Sequence, residues 1–102
     1  MIVAHRIRDK LTHALAPERL EIVDESARHA GHAGARHAAA AGRHGETHFR
    51  VEIVAAAFAG AAPLARQRRV YAILADELRD GVHALSLATL TPDEARRRQP
   101  PV

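Results

Sequence analysis

Apolar side chains recur at helical spacing at the start of the chain. Ile7, Leu11, Ala14 and Leu15 stand between Arg6, Asp9 and Lys10, which predicts an amphipathic helix over residues 2–16. Pro17 stops it, because an interior proline loses a hydrogen bond and clashes with the preceding turn. Residues 20–25 read as a short strand, with Leu20, Ile22 and Val23 β-compatible and the acids at its end. Residues 46–55 form the clearest strand. Phe49, Val51 and Ile53 alternate with His48, Arg50 and Glu52, giving one buried and one wet face. Phe58-Ala59-Gly60 is a turn, and Pro63 suits the first turn of a second helix. Leu64, Val70, Tyr71, Leu74 and Leu78 are its expected buried stripe; Arg66, Arg68, Arg69, Asp76 and Arg79 are its expected polar side. Gly81 lies past its end, where helices commonly stop. Residues 82–90 are a third strand. Thr91-Pro92-Asp93-Glu94 then starts a last helix, with a threonine cap, proline at the first position and glutamate three residues after the cap.

Residues 26–45 break the pattern. They hold Gly31, Gly34, Gly42 and Gly45 with His29, His32, His37 and His44, and no large apolar side chain. A segment this long between two strands reads as a flexible loop. Its run of alanines at 38–41 is too short to nucleate a helix alone. The order is therefore α-β-β-α-β-α. The first two strands should pair antiparallel, and the second and third, joined through a helix, should run parallel by a right-handed crossover. The fold class is α+β: a three-stranded mixed sheet with helices packed on one face. Residues 1–95 form one domain, 96–102 a disordered tail, and no internal repeat is present.

Composition narrows the function classes. A chain of 102 residues is one domain. Many of the residues in its apolar share of 47% are alanine, with two Phe, one Tyr, one Met and no Trp, so the core should be thin. The absence of cysteine excludes disulfides, thiolate metal sites and thiol catalysis, and suits a reducing compartment. The first residues show no apolar signal core, and no apolar run approaches the ~18 residues that span a bilayer, so a cytoplasmic protein without membrane association is expected. The formal charge of +3, with 14 Arg against one Lys, permits nucleic-acid binding without demanding it. Eight histidines make the charge depend on pH near neutrality.

Candidate chemistry rests on histidine and arginine. His83 opens the third strand and shares parity with Leu85 and Leu87; the residues alone read as a histidine at the rim of the core, satisfied by one backbone bond. His5, His13, His37, His44 and His48 read as solvated, and the loop imidazoles suit weak binding of Zn²⁺ or Ni²⁺. Arg66 and Arg69, three apart on a helix, are either a solvated face or a pair of phosphate contacts, with Asp76, Glu77 and Asp80 weakening the patch. Asp24, Glu25, Ser26 and His29 are close in sequence, but a strand end and a loop do not preorganise them for catalysis. With no nucleophile elbow, phosphate loop or cysteine, an enzyme is not expected.

Several short motifs point further. Asp24-Glu25-Ser26 with its His/Gly loop, Glu46-Thr47-His48-Phe49, and Phe58-x-Gly60 come first. Arg66-x-Arg68-x-Val70-Tyr71, Val82-His83-Ala84-Leu85 and Thr91-Pro92-x-Glu94 follow. In this order, over about residues 5–95, the chain resembles the BolA family. The resemblance implies a fold similar to class II KH modules. The RNA-gripping Gly-x-x-Gly between two helices is absent, since Gly31-His32-Ala33-Gly34 lies between strands. It also implies that His83 is an iron–sulfur ligand in a complex with a monothiol glutaredoxin, with a loop histidine as the second ligand: His29, or alternatively His32. Neutral imidazole replaces thiolate on one iron of Rieske [2Fe-2S] centres. The family then implies that a glutaredoxin cysteine and a glutathione thiol complete the cluster in a heterodimer, the apo chain being a monomer. Transcriptional regulation through DNA, contacted by Arg66 and Arg69, is the other activity implied. One position departs: the family helix usually reads Arg-His-Arg, and this chain has Gln67 in the middle.

Overall fold

The computed structural model describes residues 2–26 and 47–98. The chain order is α1 (Ile2–Leu15), β1 (Arg19–Asp24), β2 (His48–Val54), a 3₁₀ turn (Ala56–Phe58), α2 (Pro63–Ile73), α3 (Ala75–Asp80), β3 (Ala84–Leu90) and α4 (Pro92–Arg98). In α1 the buried residues Ile7, Leu11 and Leu15 are four apart, one per turn along a single stripe. Ala14, expected beside them, is exposed. The helix closes on Ala16, whose φ of 44° is left-handed and whose N–H donates to Thr12 O at 3.0 Å; Pro17 follows.

The strands form one sheet in the order β1-β2-β3. β1 pairs antiparallel with β2, Ile22 opposite Val51, and β2 pairs parallel with β3, Val51 opposite Leu87. Both directions are those expected from the order of elements. Alternation places Phe49, Val51 and Ile53 on one face, where they meet Ile7, Leu11, Leu15, Phe58, Val70, Leu74 and Val82 in the core. Arg50 and Glu52 point to the opposite face. Val54 shares that face yet is buried, lining a cleft with Leu90, Pro92 and Ala95.

The second helix differs from the sequence expectation in two ways. It is broken at Leu74, where φ of −100° and ψ of 17° leave helical geometry, so α2 and α3 are separate elements. Its buried stripe is also rotated. Leu64 is 61% exposed and Tyr71 40% exposed, whereas Arg66 and Glu77 are buried with Val70 and Leu74. A hydropathy rule assigns both charged residues to water, but each has ionic partners on another element. Glu77 Oε1 accepts a hydrogen bond from Lys10 Nζ at 2.8 Å, and Arg6 Nη2 stands 2.9 Å from Oε2 as an ion pair without hydrogen-bond geometry, both from α1. Burial of a carboxylate is tolerated only when it is paired in this way.

The outer edge of β3 carries a second device. Leu90 O accepts from Ala55 N on the β2 side, so by alternation the carbonyls of Leu85, Leu87 and Thr89 turn outward. Each accepts from a side chain of α2: Leu85 from Tyr71 Oη at 3.1 Å, Leu87 from Gln67 Nε2 at 3.4 Å, and Thr89 from Arg66 Nη1 at 3.1 Å. α4 opens with the expected capping box, Thr91 N donating to Glu94 Oε1 at 2.8 Å and Glu94 N to Thr91 Oγ1 at 3.2 Å. The helix continues through Arg96 and Arg97 to Arg98, residues the sequence reading assigned to the tail. Among the described residues no helix is long and apolar enough to cross a membrane.

Candidate functional site

The parallel pairing of β2 and β3 sets the starts of both strands at the same end of the sheet, His48 opposite Ala84. The carbonyl of Thr47 accepts His83 N at 2.8 Å and Ala84 N at 3.2 Å, fixing the entry to β3. β3 begins at Ala84, so His83 lies just outside it and its side chain is exposed, while Val82 before it is buried. The imidazoles of His83 and His48 face one another with centroids 6.3 Å apart and planes tilted by 34°. The sequence reading left His48 as a solvated residue. Two parallel strands that start level bring their first histidines together, and that signal lay in the expected topology.

His48 is the end of a polar chain. Its Nδ1 is 2.9 Å from Thr47 Oγ1, and Thr47 Oγ1 is 3.4 Å from Ser26 Oγ. Ser26 Oγ donates to Asp24 Oδ1 in a short contact and accepts Thr47 N at 3.1 Å. Ser26 N also donates to Asp24 Oδ1 at 2.9 Å, closing an Asx turn at the end of β1. Asp24 and Ser26, close in sequence but not expected to be catalytic, thus join the two strand ends. The loop candidates His29 and His32 lie outside the described residues.

The arginine pair is not brought to one surface. Arg66 is only 7% exposed. Its Nε donates to Ala61 O at 2.8 Å, its Nη1 to Glu94 Oε1 at 2.5 Å, its Nη2 to Glu94 Oε2 at 3.2 Å, and its guanidinium carbon stands 5.9 Å from the centre of the Phe58 ring. The guanidinium beside it, then the N–H of Thr91, holds the Glu94 carboxyl down at about 2. Arg66 is therefore not a phosphate contact, a correction to the sequence reading, because its donors are spent inside the fold. Arg69 is exposed, with Nη1 3.4 Å from Ala57 O.

Donor chemistry limits what the histidine end can hold. A [2Fe-2S] cluster takes four protein ligands, usually thiolates. The chain has no cysteine, and among the described residues no three His, Asp or Glu side chains converge on a metal position. Exposed imidazole is a donor such a set can use, and His83 offers one, with the ring of His48 centred 6.3 Å away.

The BolA-like protein family model matches residues 11–94. The chain is 49% identical over 89 residues to SufE-like protein 1, chloroplastic/mitochondrial, of Arabidopsis thaliana, covering 87% of this chain and 24% of that protein. It is 43% identical over 94 residues to the DNA-binding transcriptional regulator BolA of Escherichia coli (strain K12), covering 92% and 80%. The chain spans less than two thirds of the length of the curated relatives it matches first. Among solved structures it is similar to BolA1 from Arabidopsis thaliana, with a TM-score of 0.74, 40% identity, and coverage of 90% of this chain and 94% of that one. Fold, motif order and family match agree, and the chain belongs to the BolA family.

Proposed function

We propose that the chain is an adaptor: it binds a monothiol glutaredoxin and supplies histidine ligands to a [2Fe-2S] cluster whose remaining ligands come from the glutaredoxin cysteine and glutathione. The observation that carries this reading is His83. It is exposed at a sheet end, its backbone is anchored to Thr47, and a second imidazole stands beside it. A fixed backbone under an exposed ring lowers the entropic cost of ligation. His83 and one further histidine, with His29 and His32 the loop candidates, would hold the cluster from this side. Imidazole ligation raises a cluster's potential over all-thiolate ligation, which suits transfer or iron sensing over storage. A relative named as a SufE-like protein favours iron–sulfur chemistry. Cytoplasm is the proposed compartment, and the free chain is proposed to be a monomer. No catalytic role is proposed. The test is titration of the chain into a glutathione-ligated [2Fe-2S] glutaredoxin, followed by visible absorption and circular dichroism. Wild type is expected to change the cluster spectrum and His83→Ala to leave it unchanged. A full response from His83→Ala would end this reading.

A second reading, DNA binding, is favoured by the name of the Escherichia coli relative. With Arg66 withdrawn, exposed Arg68 and Arg69 of α2 are the phosphate contacts proposed for it. Binding to duplex DNA should then fall steeply with salt and weaken in Arg69→Ala. Binding insensitive to salt would exclude it.

A further inference from the structure

We propose that the outer edge of β1 is a docking site for an extended segment of a partner protein. The segment adds antiparallel to the sheet and carries an apolar-basic-apolar triplet opposite Ile22, Glu21 and Leu20. The site uses no histidine, so it is independent of the adaptor reading above.

The two edges of the sheet are finished differently. On β3 the outward carbonyls of Leu85, Leu87 and Thr89 all accept from side chains of α2. β1 is the other edge. Glu25 N donates to His48 O at 2.7 Å, and alternation from that pair turns Val23, Glu21 and Arg19 toward β2. The N–H and C=O of Leu20 and of Ile22 therefore turn outward, and they have no partner among the described residues. Sheet edges are commonly closed to other chains by a proline, a bulge or an inward-pointing charge. From Arg19 to Val23 β1 has none of these. Its pairing with β2 runs unbroken, and Leu20 and Ile22 pack against the core opposite Ile53 and Val51. Donors and acceptors presented together at a two-residue spacing are matched by the backbone of another strand.

Charge sets what that strand carries. Glu21 stands directly opposite Glu52 of β2, and like charges in that position destabilise a sheet. Arg19 answers from within β1, its Nη2 3.0 Å from Glu21 Oε2, and the Glu21 side chain stays half exposed. A cation on the partner strand opposite Glu21 would offset the repulsion from the free side. On the other face, Leu20 and Ile22 are only partly buried, so apolar side chains opposite them would extend the core outward. Because successive residues of a strand alternate faces, these demands read as apolar, basic, apolar.

A second copy of β1 fits this edge less well. Antiparallel pairing of two copies sets Arg19 opposite Glu21 only when it is centred on Leu20. Ile22 then falls opposite Glu18, whose N–H is already given to Val54 O. The hydrogen-bonded overlap shrinks to the residues around Leu20, far short of a stable interface.

The test titrates the full ¹⁵N-labelled chain with the capped peptide Thr-Val-Lys-Val-Ser-Thr, followed by amide correlation spectra. Two control peptides are run beside it: Thr-Val-Glu-Val-Ser-Thr, and the lysine peptide N-methylated at both valines. The lysine peptide is expected to shift the amides of Leu20 and Ile22 most and to slow their exchange with solvent. The glutamate peptide is expected to bind about fivefold more weakly, although the net charge of the chain, +3, favours it at long range. Glu21→Lys, at a half-exposed position, should reverse that preference, and the N-methylated peptide should leave the spectrum unchanged. No shift at millimolar lysine peptide, or shifts centred away from β1, overturns the proposal. Equal affinity of the lysine and glutamate peptides for the wild type, or binding by the N-methylated peptide, overturns it as well. Concentration-dependent shifts at Leu20 and Ile22 without any peptide would assign the edge to a second copy and also overturn it.

Discussion

Nη1 of Arg66 lies 2.5 Å from Oε1 of Glu94, joining the first turn of α2 to the first turn of α4 across the end of β3. The same Glu94 oxygen receives the Thr91 N–H of the capping box, and Arg66 also binds the carbonyls of Ala61 and Thr89. One guanidinium thus serves three segments, which makes it a structural anchor.

Arg66→Ala should cost roughly 2–4 kcal/mol of unfolding free energy, because charge-assisted bonds are lost and two carbonyls lose a donor. Arg69→Ala, at an exposed site, should stay within about 0.5 kcal/mol. Urea denaturation of both variants measures the difference. Equal effects would show that Arg66 is not an anchor.

Acid should reveal the same pair. The Glu94 carboxyl is held at about 2 in the fold against an ordinary 4.5. A lowered folded-state value means that its stabilisation is fully present above pH 4.5 and is lost as pH falls through about 2. The stability gap between wild type and Glu94→Gln should be flat above about pH 5 and narrow steadily below it. A gap that does not change down to pH 2 would show that the carboxylate contributes nothing as an anion.

Gln67 and Tyr71 guard the edge of β3. An open edge presents unpaired carbonyls to other chains, and the α2 side chains occupy those of Leu85 and Leu87. Tyr71→Phe and Gln67→Ala should each cost about 0.5–1.5 kcal/mol. The double variant should self-associate more than wild type in light scattering at matched concentration. The departure from the family's Arg-His-Arg thus has a local role, since the amide of Gln67 supplies a donor to Leu87 O.

Glu77 pins α3 to α1. Glu77→Gln, which leaves two cations facing a neutral amide, should lower stability by about 2 kcal/mol. Arg6→Ala and Lys10→Ala should each have a smaller effect, because the other cation still pairs the carboxylate. The double variant should lose more than the sum of the two, since it leaves a buried carboxylate without a cation. Strict additivity in denaturation measurements would refute this shared pairing.

Local rules made much of the fold legible. Ile7, Leu11 and Leu15 at helical spacing, the alternation of Phe49, Val51 and Ile53, Pro17 and Gly81 as stops, and the Thr91–Glu94 capping box each depend on residues a few positions apart. From the order of elements followed the strand directions, and from those the meeting of the two strand starts.

What the sequence by itself determined was the order of elements, the sheet they make and the family. Only the tertiary structure decided that Arg66 and Glu77 are interior and that Gln67 and Tyr71 cap an edge. The reason is distance along the chain. Whether a charge can be buried depends on its partner, and these partners lie 28 residues away for Arg66 and Glu94, and 67 for Lys10 and Glu77. Hydropathy scores each residue against water alone, so it sends such groups to the surface until the fold supplies the opposite charge.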